Sequence, residues 1–134
     1  MSKLYAFLHP ETPEQKEVVF SRFKDENGVV VPFLIKPITS EENKALINKC
    51  SWRDKKGNKH LDSSRYQTEL VVAGTVRPDF TDAELCEGYG VLDPNMLVER
   101  MLFAGEYMKL AEEILKISGL DEESEAEAEE EAKN

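Results

Sequence analysis

Cysteine is scarce in this chain. Cys50 and Cys86 stand far apart and in no CxxC or metal-ligand spacing, which argues against a disulfide framework or a structural zinc site and predicts reduced, partly buried thiols. Histidine is as scarce. His9 and His60 lie in polar or turn segments, with no nucleophile or carboxylate at the spacing a catalytic motif requires, so both read as surface side chains. Long hydrophobic runs are missing too. No apolar stretch approaches the roughly eighteen residues of a membrane span, and "MSKLYAFLHPETPEQKE" has too short an apolar run and too early a proline for a signal peptide. A cytosolic protein with no membrane partner is expected. The "GYG" of Gly88 to Gly90 lacks the strand-to-helix context and the further glycines of a nucleotide loop, and reads as a turn. No catalytic residue, cofactor or metal is expected.

Positive charge is also in short supply. Seventeen Lys and Arg oppose 27 Asp and Glu, for a net charge of -10. Non-specific binding to nucleic acid, which needs a cationic face, is therefore not expected. The surplus is concentrated at one end: "DEESEAEAEEEAKN", Asp121 to Asn134, carries eight carboxylates against one lysine, -7 of the -10. Without aromatic or branched aliphatic side chains this segment has nothing to bury against its chain entropy. The expectation is one domain over residues 1–120 and a disordered acidic tail over 121–134, whose removal leaves the melting temperature nearly unchanged.

The fold class expected is α+β, mainly α: a β-hairpin packed on a bundle of about four to five helices. In "EVVFSRFKDENGVVVPFLIKPI", two β-branched and aromatic runs flank Asn27-Gly28, which predicts strands near 18–24 and 29–36. Pro32 cannot donate to a ladder, so the second strand is expected at an edge, or with a bulge at the proline. Thr39 and Glu42 have capping-box spacing before a helix over about 40–50. "SWRDKKGNKHLDSS" then reads as a polar loop, and with Lys49 it holds the one basic cluster of the chain: Arg53, Lys55, Lys56 and Lys59 around Trp52. A solvated loop is favoured there over a single-strand nucleic-acid grip, and the acidic tail is an alternative partner for it. Ser64 with Gln67, and Thr81 with Glu84, have the spacing to cap two further helices, the first ended by Arg77-Pro78 and the second near Gly88. Asp93 as N-cap and Pro94 at the first helical position start a last helical region running to Gly119, with a kink or break at Gly105. The core expected comprises Phe20, Phe33, Ile35, Leu46, Leu70, Leu85, Leu97, Met101, Leu110 and Ile114.

Beyond Met1, every methionine lies in this last region: Met96, Met101 and Met108. Unbranched thioethers repack easily and recur where a surface must accept several apolar partners, whereas a core stripe is the commoner use of such a helical face. The partner-binding residues expected are Met96, Leu97, Met101, Phe103, Tyr107 and Met108, and the open edge of the hairpin is the next place to look.

The residues "FLIKPIT", "VRPDF", "GVLDPNMLVERMLFAGEYMKL" and "ILKISGL" together resemble the XkdN-like family of phage tail assembly chaperones, over roughly residues 4–120. The resemblance implies a non-enzymatic phage or prophage protein of the host bacterial cytoplasm, absent from the finished virion. Such a protein coats the tape measure protein while tail-tube subunits polymerise around it. The runner-up is an acidic phage-encoded interaction protein that binds a host factor or mimics nucleic acid. The resemblance extends to chaperones made in a second, longer form by a programmed frameshift. Ala132-Lys133-Asn134 can be encoded GCA AAA AAC, which contains a slippery heptamer. On that reading the acidic tail is a spacer to an appended domain that holds the major tail-tube protein.

Overall fold

The computed structural model describes residues 3–11 and 15–120. The expected tail 121–134 and the frameshift site at 132–134 lie outside the described residues. A short helix α1 (Leu4–Leu8), absent from the sequence reading, precedes β1 (Lys16–Val18) and β2 (Phe33–Ile35). β1 and β2 pair antiparallel, with Val18 opposite Phe33 and Lys16 opposite Ile35. These strands are shorter than the expected 18–24 and 29–36. Between them the chain leaves the ladder and regains it in one bridge, Lys24 to Val30, at the tip. The tip is built as the sequence predicts: the Asp25 carboxylate accepts from the amides of Asn27 and Val29, and Gly28 turns at a φ of 79°.

β2 is not an edge strand. A third strand, β5 (Thr75–Arg77), pairs with its other side, giving the order β1-β2-β5. Pro32 sits just ahead of β2, where its carbonyl accepts from Arg77 Nε at 2.9 Å, and the register shift falls at Leu34/Ile35 rather than at the proline. The missing donor thus costs the ladder nothing. Val18, Phe33 and Ile35 are buried under the helices while Glu17 stays exposed, so the sheet buries one face.

Helix α2 (Ser40–Lys49) begins with the full Thr39–Glu42 capping box. The segment expected to be a loop is a second hairpin: β3 (Ser51–Arg53) pairs with β4 (Lys59–Leu61), placing Trp52 opposite His60. Its turn repeats the chemistry of the first, because the Asp54 carboxylate accepts from Lys56 and Asn58 and Gly57 takes a φ of 83°. Helix α3 (Ser63–Gly74) is capped by Asp62 and not Ser64, and helix α4 (Ala83–Gly88) by Asp82 and not Thr81. In both cases a neighbouring carboxylate, a strong acceptor, takes the free amide. Thr81 instead bonds Asp79.

Asp93 and Pro94 open α5 (Pro94–Met101) as expected. The break before α6 (Ala104–Ile117) falls at Leu102-Phe103, so Gly105 lies in the first turn of α6 and not at the joint. Gly119 ends the chain of helices at a φ of 73°. α3 is the central helix, packed on α2, α5 and α6. At its end Gly74 meets Ile114 so closely that a β-carbon there would lie 2.6 Å from Ile114 Cγ2. Every expected core residue is buried except Leu85, which packs partly buried against the cluster. Phe80 and Val98 belong to the core as well.

Candidate functional site

The break between α5 and α6 is held from outside by the first hairpin. Arg22 donates to both Glu106 carboxylate oxygens, at 2.8 and 2.5 Å, and to the Met101 carbonyl at 2.7 Å. Glu106 in turn accepts from the Phe103 amide at 2.8 Å, capping α6. One arginine therefore satisfies the end of α5 and anchors the side chain that starts α6. Its hydrogen bonds hold the Glu106 carboxyl below the usual carboxylate range. The same guanidinium lies 4.0 Å from the Phe103 ring centroid and 4.4 Å from that of Phe23. Phe103 is nevertheless 66% exposed: a cation holds one face of the ring and the rest faces outward.

Beside the break, Ser64, Thr68, Val98, Leu102, Ala104 and Tyr107 line a groove of about 270 Å³ between α3 and the two C-terminal helices. Tyr107 is fixed at its wall by a 2.8 Å hydrogen bond between its hydroxyl and Thr68 Oγ1. Glu99 lines this groove and also the adjoining depression formed with Met96 and Arg100. Met108 follows Ala104 by one helical turn and is 64% exposed; Met96 is also exposed. The six residues named from the sequence thus divide. Phe103, Met108 and Met96 are exposed and Tyr107 is half-buried at the wall of the groove, whereas Leu97 and Met101 are core and face inward. The helical break separates them, because it ends the single face on which Leu97, Met101 and Met108 would have lined up.

A second depression, of about 470 Å³, is lined by Pro78, Leu85 and Tyr89 under an acidic rim of Asp79, Asp82 and Glu84. His60 bonds Asp54 at 2.8 Å and stacks on Trp52, while His9 bonds the Tyr5 carbonyl. Cys50 and Cys86 are free and buried, and burial pushes the Cys50 thiol up. Among the described residues no group of acidic, histidine and cysteine side chains is arranged to hold a metal. No helix there is long and apolar enough to cross a membrane.

Residues 4–133 match the family of phage XkdN-like tail assembly chaperone proteins. This chain belongs to that family. It is similar to the phage-like element PBSX protein XkdN of Bacillus subtilis, 36% identical over 136 residues that cover 96% of this chain and 91% of the relative. The protein YqbN of the same bacterium is 37% identical over the same shares of the two chains. The crystal structure of YqbN superposes with a TM-score of 0.72 at 32% identity, covering 90% of this chain and 99% of that one. The tail assembly chaperone fold is therefore the frame on which the exposed aromatic and thioether side chains at the α5–α6 break are mounted.

Sequence reasoning missed Arg22 as the residue that organises this surface. Its signal was available in part: Glu106 stands three residues after Phe103, the spacing of a helix start. The partner from a hairpin 84 residues away had none.

Proposed function

We propose that this tail assembly chaperone acts without catalysis by binding the phage tape measure protein in the host cytoplasm, keeping it from aggregating while tail-tube subunits assemble around it, and that it is left out of the finished virion. The observation that carries this reading is the surface at the α5–α6 break. Phe103, at the N-cap of α6, and Met108, one turn beyond Ala104, are large apolar side chains about two-thirds exposed, and their neighbours Leu102, Ala104 and Tyr107 line a preformed groove. A chaperone for a long helical client needs apolar contacts that tolerate many client sequences, and Met with a cation-braced Phe meets that need. Helix-in-groove docking is the mode that fits, with apolar anchors of the client entering beside Tyr107.

Co-expression tests the reading. With this chaperone present, the tape measure protein should stay in the soluble fraction and co-purify with it. A tape measure protein that is equally insoluble with and without the chaperone, or soluble but never captured, would overturn the proposal.

A further inference from the structure

The second hairpin carries the one basic cluster of an acidic chain, and the surroundings leave it unneutralised. Arg53, Lys55, Lys56 and Lys59 have no carboxylate within 4.0 Å among the described residues. Arg53 donates instead to the Gly57 carbonyl, and Lys59 to Asn48. Asp54, the single acid of the turn, is engaged by His60 and by the turn amides. On this hairpin Trp52 is 54% exposed, stacked on His60 with ring centroids 4.6 Å apart. Cations around an exposed aromatic surface form a docking site for an anionic chain segment.

We propose that the occupant is the chain's own acidic segment, residues 121–134, docked across the β3–β4 hairpin. Charge and reach both favour it. The segment carries eight carboxylates against one lysine. It starts beside the N-terminal end of α2, because Ser118 Oγ accepts from the Ile38 amide at 2.8 Å, two residues before α2 begins. The hairpin starts at the other end of the same helix, about 15 Å away at the helical rise per residue. Fourteen residues reach about 46 Å when extended and about 20 Å on average as a flexible coil, so the span is well matched. Tethering at that distance gives an effective concentration on the order of millimolar, enough for a contact made only of exposed charges and one ring. The docked segment adds little to fold stability, since exposed ion pairs contribute little.

A spin label on the full chain locates the segment. With Ala128→Cys labelled, and Cys50 and Cys86 protected by burial, amide signals of residues 52–60 should broaden at low salt, losing about half their intensity. The loss should vanish in about 1 M NaCl, where the Debye length is about 3 Å, and in the Lys55→Glu/Lys56→Glu chain. In a tail-neutral chain (Glu127→Gln, Glu129→Gln, Glu130→Gln, Glu131→Gln) carrying the same label, the broadening at low salt should be largely lost. Broadening confined to the end of α6, or broadening that survives the charge reversal or the neutralised tail, would each overturn the proposal.

Discussion

Gly74, Glu69 and Phe103 show three different ways in which a single residue matters here. Gly74 is required for contact: a methyl group there would collide with Ile114, whose side chain is fully buried and has nowhere to retreat. Gly74→Ala should cost about 1–3 kcal/mol, read as a lower urea midpoint at unchanged slope. Glu69 is a buried carboxylate on α3 that accepts from Asn95 of α5 at 2.8 Å and Lys49 of α2 at 3.0 Å. Burial opposes its ionisation, and the bonds from Asn95 and Lys49 outweigh that, so its carboxyl stays below the ordinary value. Glu69→Ala removes the acceptor that joins three helices and should cost about 1–3 kcal/mol in the same assay. Phe103, by contrast, is braced but exposed, and replacing it should leave the urea midpoint nearly unchanged. Tyr66, Leu70, Ala73 and Gly74 recur at the i, i+4, i+7, i+8 spacing of a buried helical stripe, so that side of α3 is legible in the sequence. Glu69 is unmarked there, because a carboxylate on the same helix carries no sign of being buried until its partners from other helices are in place.

At the level of elements, capping chemistry was the most readable signal. The Thr39–Glu42 box and the Asp93-Pro94 start stand where the spacing puts them. Thr39→Ala should lower stability by about 0.5–2 kcal/mol, measured by thermal or urea unfolding. The strands were harder. β5 is three residues long and follows a helix without a break, too short for alternation to register, and it was β5 that turned β2 into a central strand. The second hairpin hid behind its polarity: both faces are largely exposed, so no apolar alternation exists to find. Its Asp54-to-Gly57 turn nevertheless matches the Asp25-to-Gly28 turn residue for residue in its bonding, and that shared pattern was the overlooked clue. The break between α5 and α6 misled for a related reason. Glycine is the weakest helix former in the region, but a capping glutamate and an arginine from another element decide where the helix stops.

Across the whole molecule, ion pairs link the β1–β2 region to α6: Lys16 with Glu113 and Arg22 with Glu106. The lysine and arginine hydrogen bonds hold both carboxyls below their ordinary value, as Asn95 and Lys49 do for Glu69. A depressed carboxylate pKa adds stability above its unfolded value, near pH 4.3, that is lost as pH falls through the folded values. Unfolding midpoints should therefore be flat near neutrality and fall below about pH 4, and Glu106→Gln should flatten part of that fall. The family frame, the single core and the exposed surface at the α5–α6 break together support a chaperone whose client contact is separate from its stability. The most direct measurement of that claim is capture of the tape measure protein by the full chain and by Phe103→Glu and Met108→Lys variants, with melting temperatures taken on the same samples. The account predicts that both variants melt within a few degrees of the unaltered chain and lose most of their capture. Full capture by both variants, or loss of capture only where the domain also unfolds, would contradict it.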